Sequence, residues 1–487
     1  MPPRTRPPVA LFRAAALLVP AALAGACKRS PDHEPPAPAP ALSGSTYAVA
    51  PPSASAVPSA SAAPVGPTLI DVALGGDAIP QVKVLANDIK EVFAGIPSCW
   101  TKADARVLNL EAPVGERKGL PGDKTLLAFA APPAWFADLF AASKANALVG
   151  ANNHSCDLGP EGLAATVSEA KKIHAPLAGA DESDPWSRVE VVEKGGHKVC
   201  LVAWTTFLND KGRKQKGCLE GSAGAKVARA ELGPKGLDLI HEQLGKDDRW
   251  LGCDARIAYV HGGREYRAQI RPVLEQAQAA SAYVDAVIIT HPHVPDGVEA
   301  LSSPAPKNPS AAGGRSVGRS VPVFKSLGNF VSNQGIAWTP GMSVELLDVD
   351  GVPDPIRTVW TRVLVIARLR FVWDAIDSQG ESAGVLPARR PLVPGPPNKV
   401  LYGYSLAFSD RTPPLTIRLR PLPNGDNDPV AKKLEKGPHP FGDLLTGKCR
   451  LDPDAAPKCD GLHGDATASP SGEAAASAEP AKVSEVE

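Results

Sequence analysis

Five short apolar runs in this chain each stop at a residue able to hold a cation. Leu69–Leu74 runs into Gly75-Gly76-Asp77, and Arg106–Leu110 stops at Glu111. Ala147–Val149 leads into Ala151-Asn152-Asn153-His154, Arg256–Val260 into His261, and Val284–Thr290 into His291-Pro292-His293. Short apolar runs bounded by turn residues read as buried strands. Helical spacing lies between them, at Leu163, Val167, Ala170 and Ile173, and again at Ile270, Val273, Leu274, Ala277 and Ala280. Pro132–Ala142 and Pro234–Leu244 also read as helices, and Gly195-Gly196 turns Arg188–Val192 back on Lys198–Trp204 as a hairpin. Strands and helices alternate early, while Met342–Asp350, Arg362–Asp374, Val400–Phe408 and Leu415–Pro421 read as strands alone. That order implies an α/β sandwich, with the late strands as a second sheet packed on the first.

Ligands of open α/β sheets bind at the carboxyl ends of the strands. Each polar residue there has an ordinary reading by itself: Asn and Asp are turn residues, and a Glu before Pro113 can end a strand in solvent. Asp77, Glu111, Asn153, His261, His291 and His293 are all of metal-ligand type and all follow strands, which points to one shared site. His291 and His293, two apart, would face similar sides of an extended loop. Mixed oxygen and nitrogen donors suit Mn, Fe or Zn better than Ca or Mg. His154 beside Asn153 can serve as a proton donor near neutral pH.

The balance of 52 Lys+Arg against 52 Asp+Glu leaves no basic footprint, which excludes nucleic acid as a partner class. Arg4, Arg6 and Arg13 precede the apolar run Ala14–Ala26, which is too short to span a bilayer and reads as a secretory signal. Leu23-Ala24-Gly25-Ala26-Cys27 is similar to a bacterial lipoprotein cleavage box, with Ala24 in place of the usual Leu. Residues 1–27 are thus expected to be a lipoprotein signal peptide with lipid on Cys27, the alternative being an ordinary secreted protein. The expected localisation is exported and lipid-anchored to the bacterial membrane. Residues 28–66, rich in Pro, Ala and Ser, form a linker that cannot bury a core, and 464–487 form a disordered tail. Between them lie a folded domain at 67–425 and a C-terminal extension at 426–463. Seven cysteines besides Cys27 leave an odd thiol, assigned to Cys200 within an apolar run, and Cys449–Cys459 is expected to be a disulfide. Asn209–Arg229 reads as an excursion over the rim of the site, Ser303–Ser320 as a functional or disordered loop, and His197 as solvated.

These motifs, in order, resemble the CapA family, the poly-γ-glutamate capsule biosynthesis proteins within the calcineurin-like metallophosphoesterase superfamily. The resemblance rests on Gly76-Asp77, Asn109-Leu110-Glu111-Ala112-Pro113, Ala151-Asn152-Asn153-His154 with Gly159, His261-Gly262-Gly263-Arg264-Glu265-Tyr266, His291-Pro292-His293-Val294 with Glu299, and Ser326-Leu327-Gly328-Asn329-Phe330. It implies a layered α/β/β/α sandwich of the metallophosphoesterase type, holding one or two divalent ions. Asp77, Asn153, His261, His291 and His293 would be ligands, Glu111 a bridging carboxylate, His154 an acid toward the leaving group, and Glu265 and Asn329 support or rim. Two positions depart from the pattern: Ile79 stands where a second His is common, and Gly262 replaces a Trp, which removes one aromatic wall. The resemblance implies capsule or envelope-polymer biosynthesis, with capsule-synthesis machinery and an anionic polymer as partners. It leaves open a metal-dependent hydrolase of phosphoester or related bonds, or a non-catalytic assembly factor that keeps a vestigial metal site.

Overall fold

The pleat of a strand sends alternate side chains to opposite faces, and here the two faces meet different cores. A computed structural model describes residues 67–116, 128–209, 211–339, 342, 348–349, 352–354, 356–373, 395–412, 416–422 and 430. The signal peptide, linker, tail, Cys449–Cys459 pair and C-terminal extension apart from Val430 lie outside these residues. Val430 itself is buried between the sheets.

The strands are β1 Thr68–Ala78, β2 Ala105–Leu110, β3 Ala147–Val149, β4 Leu177–Ala178, β5 Ala180–Asp181, β6 Val189–Lys194, β7 His197–Thr205, β8 Lys226–Val227 and β9 Ala255–His261. They continue with β10 Ala286–Thr290, β11 Pro295–Ser302, β12 Ser320–Leu327, β13 Asn329–Val331, β14 Asp348–Val349, β15 Val352–Pro353, β16 Val363–Trp373, β17 Lys399–Thr412 and β18 Thr416–Pro421. The helices are α1 Val82–Leu85, α2 Ile89–Phe93, α3 Ser98–Thr101, α4 Pro133–Ser143, α5 Gly159–Lys172, α6 Arg213–Glu220, α7 Pro234–Leu244, α8 Arg271–Ala280 and α9 Pro309–Ala312.

One sheet runs β18-β17-β16-β1-β2-β3-β4, with β13 also beside β1, and the other runs β11-β12-β10-β9-β7-β6. Ile70, Val72 and Leu74 of β1 pack with Leu201 and Ala203 of β7 and with Ile257 and Tyr259 of β9 in the core between the sheets. Ala73 faces the outer core of the first sheet, with Val92 and Phe93 of α2 and Phe136 and Leu139 of α4. On the far side, Val202, Trp204, Val260 and Ile289 pack against Ile240 of α7 and Val273 and Ala277 of α8. This is the layered α/β/β/α sandwich that the family resemblance implies.

The late strands belong elsewhere than expected. β16 pairs antiparallel with the first half of β1 and carries β17 and β18 outward, so they extend the first sheet rather than forming the second. The second sheet instead comes from the middle of the chain. Cys200 is not a lone thiol: it is bonded to Cys253, and Cys156 to Cys218. Among the described residues the buried thiol outside these disulfides is Cys99. Cys200 shares its face with the outer core of the second sheet, where Cys253 also packs. His197 is not solvated, because its ring stacks on Trp373 at 4.3 Å. The Ser303–Ser320 loop is ordered by Arg315, whose Nε donates to the buried Asp285 Oδ1 at 2.8 Å.

Candidate metal centre

Two sheets bring donors to one seam. β1, β2 and β3 are parallel and end together, as do β7, β9 and β10 across the inter-sheet core. Asp77 sits near the end of β1, flanked in register by Asn109 of β2 on one side and Asn329 of β13 on the other. β1 can reach β13 only because residue 76 has no side chain: a Cβ there would lie 1.9 Å from the Gly328 carbonyl oxygen. That close approach lets the Asp77 amide donate to Gly328 O at 3.1 Å.

Glu111 follows β2 and is fully buried. Neither of its carboxylate oxygens has a hydrogen-bond partner. Oε1 lies 3.7 Å from His261 Nε2, 3.7 Å from His293 Nε2 and 3.9 Å from His154 Nε2. Donor atoms of Glu111, His291 and His293 all lie within 4.8 Å of one another. Burial, followed by the negative charges of Asp77, Glu265 and Asp157, pushes the Glu111 carboxyl well above the usual range. A buried polar atom without a partner is costly, and here such atoms converge on the buried His291 Nδ1 and His293 Nδ1, also without hydrogen-bond partners. Carboxylate and imidazole donors collected in one buried cluster fit a divalent metal ion.

The imidazoles are tuned differently. Burial, then repulsion from His293 and His154, pushes His291 well below its ordinary value, and burial, then repulsion from His291, His293 and His154, does so for His261. Both are therefore neutral at pH 7, the form that binds a metal. Burial opposes the charged form of His293 too, but Asp77 outweighs it and raises that group. His293 Nδ1 stands 3.2 Å from Asp77 Oδ2, close enough for charge attraction though poorly aligned for a hydrogen bond. His291 and His293 do not share a site through an extended loop. Both have positive φ, 102° and 59°, so a tight turn around Pro292 aims them inward. Non-glycine residues in that region store strain of about 1–3 kcal/mol each and concentrate at functional sites.

Asn153 Oδ1 meets His261 Nε2 at 2.7 Å. His154 stands beside the cluster, its Nδ1 held at 2.7 Å by Asp157 Oδ2. Glu265 is exposed on the rim, although its charge reaches Glu111. Asn329 is buried behind Asp77, with Nδ2 donating to Gln334 Oε1 at 2.8 Å and Oδ1 without a partner. Ile79 packs in the outer core of the first sheet, so that position contributes no donor. A side chain at 262 has no room, since even a Cβ would come within 2.4 Å of Thr206 Oγ1. Aromatic walls come from other residues: Phe207 is edge-on to His291 at 5.0 Å, Tyr266 lies 5.8 Å from His293, and Phe129 packs 4.3 Å from His154.

Sequence reasoning gave no role to Asn109 or Asp157. Asn109 Nδ2 donates to Asp77 Oδ1 at 2.7 Å and lies 3.3 Å from His261 Nδ1, tying the two sheets. Its strand-end position was available as a signal, but it reads as one more apolar-strand residue. Asp157 lies three residues after His154, the spacing that would have suggested it.

A family model described as bacterial capsule synthesis protein PGA_cap matches residues 71–334, just over half of the chain. The match spans β1 to β13 and every donor named above, and it stops before β16. Comparison with curated proteins gives no match.

Proposed function

The chain belongs to the bacterial capsule synthesis protein family PGA_cap, and on that premise we propose that it is a metal-dependent hydrolase of phosphoester or related bonds acting in capsule biosynthesis. One observation carries this reading: both oxygens of the buried Glu111 lack partners while three imidazole nitrogens stand 3.7–3.9 Å from Oε1. Asp77, Glu111, Asn153, His261, His291 and His293 would hold one or two Mn, Fe or Zn ions. A bound divalent ion polarises a phosphoryl oxygen and lowers the pKa of water.

The chain's own residues supply the rest. Asp157 anchors His154 at Nδ1, which leaves Nε2, 3.9 Å from Glu111 Oε1, as the nitrogen that gives up a proton. Neutral His154 then keeps its proton on Nδ1. Such general acid catalysis is worth roughly 10²–10⁴-fold. Burial of the whole cluster keeps bulk water from competing for the leaving group.

A second reading, a non-catalytic assembly or polymer-anchoring factor, draws on Ile79, whose place in the outer core leaves one position of the superfamily's donor set empty of a ligand. Metal content and phosphoester turnover separate the two on wild type, His291→Ala and His154→Ala. In the hydrolase reading His291→Ala loses metal, while His154→Ala keeps metal and loses turnover. Metal binding with no difference in rate between wild type and His154→Ala favours the assembly factor. We also propose that lipid on Cys27 holds the exported chain to the bacterial membrane, near capsule-synthesis machinery and an anionic polymer. Cys27→Ser should then move it from the membrane to the soluble fraction; equal fractionation of both forms refutes the anchor.

A further inference from the structure

Asn209 lies just past β7, at the start of the excursion that contains α6. Its backbone amide donates to Asn153 O at 2.9 Å. Its Oδ1 accepts from Asn153 Nδ2 at 3.2 Å. Its Nδ2 lies 3.4 and 3.3 Å from the two ring nitrogens of His154. One side chain thus touches both a proposed ligand and the proposed acid.

The contact with Asn153 decides which end of an amide faces the metal centre. An asparagine can present either oxygen or nitrogen at a given place, and only the oxygen has a lone pair for a cation. By taking Asn153 Nδ2, Asn209 turns Asn153 Oδ1 inward, to 2.7 Å from His261 Nε2. The excursion that presents Asn209 is itself tied down. α6 packs on the start of α5 so closely that a Cβ on Gly217 would meet Pro160 Cγ at 2.4 Å. The Cys156–Cys218 disulfide, closing a separation of 62 residues, fastens α6 to the residue two past His154.

We propose that Asn209 is a positioning residue of the metal centre. It sets the Asn153 amide oxygen-inward, and the Cys156–Cys218 bond keeps the excursion that carries it in register. This rests on the reading of Asn153 as a metal ligand. The test is the affinity of the full chain for Mn²⁺ and Zn²⁺, measured by competition with a chromophoric chelator. The variants are Asn209→Leu, Asn209→Asp, the pair Cys156→Ser with Cys218→Ser, and the cysteine pair combined with Asn209→Leu.

Loss of a residue that orients a ligand weakens metal binding by roughly 10–100-fold, the effect expected for Asn209→Leu. Asn209→Asp keeps an acceptor for Asn153 Nδ2 and should bind at least as tightly as wild type. The cysteine pair should weaken binding in the same direction, and adding Asn209→Leu to it should cost clearly less than the product of the separate effects. Wild-type affinity in Asn209→Leu overturns the proposal, as do equal losses in Asn209→Leu and Asn209→Asp. Independent, multiplicative effects of the cysteine pair and Asn209→Leu overturn the role of the disulfide. A wild type that takes up neither ion overturns the ligand reading beneath it, an outcome distinct from the others.

Discussion

Glu111→Met should stabilise the metal-free protein and remove its response to metal. Glu111 is fully buried, and both of its oxygens lack partners. An unsatisfied buried polar atom costs about 1–3 kcal/mol, so the two together set a ceiling of roughly 2–6 kcal/mol. Protonation relieves part of this, because burial and Asp77 hold the carboxyl in its neutral form well above the usual range. Methionine has similar length and no hydrogen-bonding demand, so a net gain of about 1–3 kcal/mol is expected. At about 2 °C per kcal/mol for a large domain, the metal-free variant should melt about 2–6 °C above metal-free wild type. With Mn²⁺ or Zn²⁺ at about 100 times its Kd, wild type should gain about 2.7 kcal/mol and the variant nothing. The assay is differential scanning calorimetry of chelator-treated protein, with and without added ion. A variant that melts below wild type in the absence of metal would show instead that Glu111 is held by partners of its own, and the predicted gain would be wrong.

Three further outcomes are expected. The Glu111 carboxyl is raised, so metal uptake must expel its proton and should strengthen with rising pH, by about tenfold per pH unit for each proton released; affinities that stay flat from pH 6 to 8 would contradict this. His261 and His291 are depressed below the ordinary histidine value of about 6.5, so at these two positions the unfolded chain binds more protons than the native one as pH falls below that value; raised His293 and Glu111 act the other way, so the metal-free wild type should lose more stability down that range than a His291→Gln variant, and urea midpoints of the two check the sign. Cys200–Cys253 closes a separation of 53 residues, worth about 4 kcal/mol in the chain-entropy account, so its paired Ala variants should melt markedly lower while metal affinity stays unchanged.

Much of the centre is legible in the sequence because the two sheets announce their ends. An apolar run such as Val284–Thr290 cannot continue through His291-Pro292-His293, and Gly75-Gly76 permits a close approach that no other residue allows. Pairing between distant strands is a different matter. Nothing local in Val363–Trp373 says that its partner is β1, nearly three hundred residues earlier; the Asp71 carboxylate meeting Arg370 Nε at 2.8 Å is visible only after folding. The same holds for the cysteines. Cys200 in an apolar strand reads as a small buried hydrophobe, and its partner Cys253 enters its core only once the second sheet has formed. Asn209 escaped for a related reason: its role lies in the orientation of another residue's amide, which no spacing encodes.

The placement of the donors across two sheets also sets a clock on metal capture. Asp77 and His291 are separated by 214 residues, and the first sheet's donors are all synthesised before the first of the second sheet's three histidines. No early stretch of the nascent chain holds the full donor set, so an ion cannot template the start of folding as it does in a zinc finger. The sheets must first dock through apolar contacts of high sequence separation, which is slow. If the centre takes up an ion as proposed, that ion would arrive last, as a latch on an assembly already made, and the compartment that holds the chain at that late moment would decide which metal it receives.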